Sequence, residues 1–191
     1  MNFKKIIAVL AAAMISASVF AFEAETFWRE YEPSFKSGSV VPSIGAGLGT
    51  GEAGFNMKIP PLYGIVDVFV PIADLPFSFG GEFGFKQFGN SFTYGKETVS
   101  YLSIMGRVLW HFNFGVENLD VYAGSDIGTK ALIWNYDYDT EVAGKDHTST
   151  SWYFDIGFLT GAHYFLNDTF GFFGELGYGF SFAKLGVSFK F

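Results

Sequence analysis

The chain has no cysteine among its 191 residues. That excludes disulfides, thiol nucleophiles, thiolate metal centres and any lipid anchor carried on cysteine. Charge is scarce as well, at 16% of the chain, where an ordinary soluble domain carries roughly 25%. Positive charge is the scarcer sign: 12 Lys and Arg stand against 19 Asp and Glu, a net charge of −7. Such a balance gives no basic surface for a polyanion, so nucleic acid is not an expected partner. After residue 21 the chain also lacks any apolar run near the ~18 residues of a spanning helix. Aromatic residues and glycine, by contrast, abound, with 20% aromatics, 25 Phe and 24 Gly. A chain this aromatic and this poor in charge is not intrinsically disordered.

The one uninterrupted apolar stretch lies at the start. Lys4 and Lys5 precede the uncharged run Ile6 to Phe20, and Val19-Phe20-Ala21 ends it with small residues where a signal peptidase reads. This layout predicts a secretory signal peptide over residues 1–21, cleaved after Ala21. A lead segment, 22–38, would follow, and a barrel domain over 39–191. An exported chain without a second helical span is either soluble or crosses a membrane as a closed barrel, because only helices and barrels satisfy their own backbone in lipid.

From about residue 39 the apolar residues recur with period two, the mark of strands. Phe77, Phe79, Phe83 and Phe85 alternate with Ser78, Gly80, Glu82, Gly84 and Lys86. Leu102, Ile104, Val108, Trp110 and Phe112 alternate with Ser103, Met105, Arg107, His111 and Asn113. The same holds over Leu119 to Lys130, Phe154 to Tyr164, Phe172 to Gly179 and Leu185 to Phe191, with less regular strands near Val40–Thr50 and Leu62–Val70. Eight strands result.

In the last six the apolar faces carry no charge. The other faces carry Glu82, Lys86, Arg107, Asp120, Asp126, Lys130, Asp155, Glu175 and Lys190. A charge near the bilayer midplane costs up to about 2–4 kcal/mol. Nine of them against lipid would cancel the roughly 5–15 kcal/mol that holds a domain folded. In a membrane barrel they must face inward. A soluble, lipocalin-like barrel would invert this, with an apolar interior and a polar exterior. Gly and Ser dominate the polar face, which suits a narrow eight-stranded lumen that side chains must just fill better than a solvated surface rich in Lys and Glu. With His111 and His163, also on that face, these residues form the expected lumen network.

The connections alternate in length: Thr50–Pro60, Gln87–Thr98 and Asn135–Thr150 are long, while Pro71–Pro76, Gly115–Asn118 and Asn167–Thr169 are short. Long outer loops and short inner turns are the rule for outer-membrane barrels. The last connection, around Phe180–Ser181, is short where the rule expects an outer loop. Phe112, Phe114, Tyr164, Phe170, Phe189 and Phe191 collect at one rim, and Trp134, Trp152, Phe154, Tyr178, Phe180 and Phe182 at the other. They read as two interfacial girdles.

The C-terminal octapeptide, Lys184-Leu185-Gly186-Val187-Ser188-Phe189-Lys190-Phe191, resembles the β-signal of bacterial outer-membrane proteins, with Lys184, Gly186, Phe189 and Phe191 at the signature positions. The resemblance implies delivery by periplasmic chaperones to the barrel-assembly machinery. Over residues 36–191 the chain resembles the small outer-membrane β-barrel family, the opacity-protein-like porin superfamily. The pieces that carry this are Tyr101–Phe112, Leu119–Gly124 and Phe172–Gly179. It implies an all-β, eight-stranded antiparallel up-and-down transmembrane barrel in the cell outer membrane, in contact with lipid and lipopolysaccharide. It implies no catalytic motif.

Nothing in the residues themselves points to catalysis. Asp146-His147 with Ser149 and Ser151 is the only cluster with enzyme-like components, and a polar loop of this kind is ordinarily just solvated. Asp137-x-Asp139-x-Glu141 imitates a calcium loop but has Val142 where Gly is required and Thr148 where Glu is required. Gly45, Gly47 and Gly49 alternate within a strand and open no helix, so they form no nucleotide loop. The expectation is a monomeric, non-enzymatic barrel without metal or cofactor. Its lumen would be closed by charge, and it would serve as a structural or adhesin-like surface protein. The alternatives are a narrow channel for small or hydrophobic solutes, then a lipid-modifying enzyme.

Overall fold

The computed structural model describes residues 37–49, 54–70, 75–93, 95–112, 114–138 and 147–191. The expected signal peptide and almost all of the lead segment 22–38 lie outside them, as do Asp139, Glu141, Val142 and Asp146. Eight strands follow one another: β1 (Val40–Leu48), β2 (Asn56–Phe69), β3 (Phe77–Phe92), β4 (Gly95–Phe112), β5 (Leu119–Tyr138), β6 (His147–Phe165), β7 (Phe170–Tyr178) and β8 (Ala183–Phe189). Each pairs antiparallel with the next, and β8 returns to pair with β1, closing the barrel. The closing seam runs from Leu48↔Ala183 to Ser43↔Ser188, and two backbone bonds between Val40 and Phe191 complete it. Among the described residues no helix is long and apolar enough to cross a membrane. The eight-stranded antiparallel barrel expected from the alternation is the fold observed.

The strand faces sort as their chemistry requires. Phe83, Ile104, Ile127, Phe158, Leu176 and Leu185 stand exposed on the outside, Phe158 at 64% and Leu185 at 70%, while Arg107 inside is 2% exposed. A water-soluble protein does not present so continuous an apolar belt.

The strands are very unequal. β5 has 20 residues and β6 has 19, whereas β1 and β7 have nine each and β8 seven. At about 3.3 Å per residue and a tilt near 45°, a strand like β5 climbs about 45 Å, well beyond a ~25 Å apolar band. A wall formed by β3 to β6 therefore rises past the belt, and the β7–β8–β1 side stops low.

This corrects the expected loops. Gln87–Thr98 is almost wholly strand, since β3 runs to Phe92 and β4 begins at Gly95. Of Asn135–Thr150, the residues up to Tyr138 belong to β5 and those from His147 to β6, and β2 already begins at Asn56. The sequence pattern ended these strands early because above the belt both faces meet water, and nothing there enforces period two. Two of the opposite turns are tight. Asn118 adopts φ 64°, a conformation asparagine tolerates better than most residues. The Asn167 side chain accepts from the amides of Thr169 and Phe170 at 2.9 and 2.8 Å, an Asx turn.

Candidate functional site: a filled lumen beneath a raised wall

The lumen is built in layers. At the centre Arg107 of β4 meets three carboxylates from two sides. Its Nη1 donates to Glu82 at 2.8 Å, its Nη2 to Glu175, and its Nε lies 3.3 Å from Asp67. Lys184 of β8 bonds Glu82 and stands 3.1 Å from Glu175. The Tyr122 hydroxyl donates to Glu175 at 2.9 Å. All of these are buried. Charges in so dry a place are tolerable only when paired and hydrogen-bonded, and β2, β3, β5, β7 and β8 supply the partners around Arg107 of β4.

One layer toward the short turns, His111 places Nε2 2.8 Å from Ser78 Oγ and Nδ1 2.9 Å from Asp120. His163 adds Nδ1 at 3.5 Å from the same carboxylate. A serine, an imidazole and a carboxylate in line form the skeleton of a hydrolytic triad. Here Ser78 is only 1% exposed, and the layer is roofed by the apolar cluster of Val41, Phe69 and Phe165. No substrate carbonyl reaches that hydroxyl, so the chain of bonds is structural. Lys190 sits over the Phe165 ring at 4.5 Å.

On the other side of the centre, Tyr63 donates to Ser181 at 2.6 Å. Lys86 donates to the Phe180 carbonyl at 3.1 Å, with its ammonium 4.7 Å from the Phe180 ring centre. Phe180, only 6% exposed, is folded down into the barrel by the turn between β7 and β8. This corrects its expected place in the outer girdle. The short last connection thus lays the Phe180 ring across the lumen, against Lys86. Above it, Lys130 and Asp155 pair with each other near the mouth, partly open to solvent.

Glycine makes the filling possible. A Cβ at Gly161 would come within 2.8 Å of the Tyr122 ring and of the Glu175 side chain, and one at Gly186 within 2.5 Å of the Phe173 ring. Large residues fit across a narrow lumen because the facing positions have no side chain. What space remains is slight. A cavity of about 10 Å³ lies between Asp126, Glu175, Lys184 and the Gly177–Phe182 turn, room for one water at most. The buried Asp126 Oδ1 borders it and has no hydrogen-bond partner within the protein.

The eleven residues expected to form one network therefore divide. Glu82, Arg107 and Glu175 share the centre; His111, Asp120 and His163 form a second layer; Lys86, Lys130 and Asp155 lie toward the mouth. Asp126 lies beside the central layer, and Lys190 is at the opposite end. Two central members lie outside the expected network. Asp67 is the only charge between Leu62 and Val70, and the alternation of Tyr63, Ile65, Asp67 and Phe69 marks it as inward. Lys184 shares the parity of Gly186, Ser188 and Lys190, which marks it as inward although the sequence pattern shows it first as part of the terminal signature.

That signature has local work in the barrel. Lys184 holds two carboxylates, Gly186 admits Phe173, Phe189 packs against Phe170 at 5.5 Å, and Phe191 bonds Val40 through its backbone. His147, Ser149 and Ser151 lie along the first residues of β6, and Asp146 is outside the described residues. Among the described residues no group of three His, Cys, Asp or Glu is placed to hold a metal.

No family model matches the chain, and no curated relative does either. Solved structures do. The attachment invasion locus protein Ail of Yersinia pestis, in complex with the heparin analogue sucrose octasulfate, superposes with a TM-score of 0.58 at 14% identity, over 82% of this chain and 100% of that one. A second crystal structure of Ail gives 0.51 at 16% identity over the same shares. At such identities the likeness is one of fold: a small, closed, eight-stranded barrel.

Proposed function

We propose that this chain is a non-enzymatic protein of the bacterial outer membrane that presents a surface for interaction rather than a pore. One observation carries the reading. The barrel is filled across its whole section by paired charge and aromatic rings, while β3 to β6 stand well beyond the apolar belt. A solute gains no path through such a lumen, and a wall of that height has no purpose inside a bilayer. The exposed outer belt favours lipid around the lower barrel, with lipopolysaccharide at its upper rim. Delivery to the barrel-assembly machinery by way of periplasmic chaperones fits the terminal signature.

The polyanion seen with Ail does not carry over. Around the third outer connection Asp137, Asp139, Glu141, Asp146 and Asp155 outnumber Lys130 and Lys145, so a sulfated ligand would meet net repulsion. The adhesin-like role is tested by deleting residues 139–146, which leaves both flanking strands intact. The variant should keep the faster gel mobility of an unboiled barrel and remain silent in a planar bilayer, while cells displaying it lose adhesion to host cells. Resolved conductance steps from the full chain would replace this reading with a channel, and undiminished adhesion would acquit the loop.

A further inference from the structure

One carboxylate at the centre of the lumen lacks the partner that its neighbours have. Arg107 and Lys184 hold Asp67, Glu82 and Glu175 between them. Asp126, on β5, stands beside this cluster and is only 7% exposed. Its Oδ1 is buried and accepts no hydrogen bond from the protein. The cations around it are engaged elsewhere: Lys184 by Glu82 and Glu175, Lys86 by the Phe180 carbonyl, and Lys130 by Asp155. In the central layer four carboxylates, Asp67, Glu82, Asp126 and Glu175, thus share two cations, Arg107 and Lys184. A charge left single in so dry a place is the costliest arrangement a lumen can hold.

The surroundings of Oδ1 are rich in oxygen. The cavity of about 10 Å³ that it borders is bounded by the turn from Gly177 to Phe182. Gly157 of β6 keeps the approach clear. A Cβ there would strike Asp126 Oδ1 and come within 2.8 Å of the Tyr178 carbonyl oxygen. A carboxylate oxygen and a backbone carbonyl oxygen therefore converge on one spot. The Ser181 hydroxyl, which accepts from Tyr63, belongs to the same lining. These are hard donors, one charged and the others neutral. Divalent metals draw on several carboxylates, whereas carbonyl oxygens suit an alkali cation. The space admits a body no larger than one water. A bare sodium ion meets that limit, and a magnesium ion with the waters it keeps does not.

We propose that Asp126 Oδ1, the Tyr178 carbonyl and the turn between β7 and β8 bind one sodium-sized monovalent cation. The ion supplies the charge that the central cluster lacks and ties the turn carrying Phe180 to β5. It strengthens the seal of the lumen whatever the wall above meets, so the site goes beyond the surface-interaction reading and does not rest on it.

The test is urea unfolding of the full chain refolded in a neutral detergent, at constant ionic strength, with sodium chloride exchanged for choline chloride. Choline is too large for the cavity. Sodium should raise the urea midpoint. Above half-saturation the unfolding constant should fall about tenfold for each tenfold rise in sodium, the slope of one bound ion. Asp126→Asn should abolish that slope. In choline its midpoint should lie no lower than that of the native chain, because a buried unpaired charge is gone. Deleting 139–146, which removes Asp139, Glu141 and Asp146, should leave the slope intact. Equal midpoints in sodium and choline would overturn the inference and mean that water serves Asp126. A slope that survives Asp126→Asn, or one lost with 139–146, would overturn it by placing the ion elsewhere. A lower midpoint for Asp126→Asn in choline would make Asp126 a packing residue and sink the site as well. Should that variant not refold, Gly157→Ala carries the test: its methyl group takes the ion's place, and a slope that persists would count against the site.

Discussion

Arg107 is the residue on which most of the lumen depends, because Glu82, Glu175 and Asp67 all face it. Replacing it by methionine keeps much of the volume and strands three buried carboxylates near one another. The expected cost is about 3–5 kcal/mol, as for other buried pairs that lose one partner. It would be read as a lower urea midpoint for the refolded barrel, and an unchanged midpoint would mean that water already reaches the cluster. Gly161→Ala probes the opposite fault. The new methyl group would collide with the Tyr122 ring and with the Gly174 carbonyl, and overpacking of this kind costs about 1–3 kcal/mol. At this scale the sequence was legible wherever parity was clean: Glu82, Arg107 and Glu175 stand out as charges on an otherwise Gly and Ser face. Parity says which way a side chain points, not how far along the axis it lies or which partner it meets. For that reason the separation of His111, Asp120 and His163 from the Arg107 cluster was invisible until the strands had a register.

Among elements, the strand faces and the turn between β7 and β8 make separate predictions. Ile127 faces outward within the belt and is half exposed, so Ile127→Arg should cost about 2–4 kcal/mol in lipid. Thr148→Arg, on the same outer face but above the belt, should change stability by less than about 0.5 kcal/mol. Equal effects in an unfolding titration would mean that the apolar band is misplaced. The turn holding Phe180 is the second case. Phe180→Ala removes the ring beneath Lys86 and Lys130 and should cost about 3 kcal/mol, as buried Phe→Ala changes commonly do. The bilayer should nevertheless stay silent, because the Arg107 layer still spans the lumen below. Conductance in this variant would show that the stopper, not the charge cluster, seals the barrel. Nothing in the local pattern announced a stopper, since Phe180 lies outside the alternating run and looks like one more girdle aromatic.

For the whole molecule, the unequal strand lengths matter more than the closed lumen. A barrel cut off level at both membrane surfaces would need about nine to eleven residues per strand. β1 and β7 have nine residues and β8 seven, while β4, β5 and β6 have 18, 20 and 19. The excess stands on one side, where β7 pairs with β6 only from Phe158 onward. Removing the wall down to the belt should yield a barrel that still migrates faster unboiled than boiled but no longer supports surface binding. A shortened barrel that cannot close would instead make the wall part of the folding unit.

Composition and period two by themselves determined the strand count, the closed antiparallel barrel and its inside-out polarity. Each of those follows from alternation along one strand and from the cost of putting charge in lipid. Only the tertiary structure decided which charges meet, that Phe180 turns inward, that Lys184 belongs to the lumen and where β7 stops beside β6. Those depend on the register between strands far apart in sequence and on where each strand ends. Above the belt water accepts any side chain on either face, so no pattern in the chain records the strand ends.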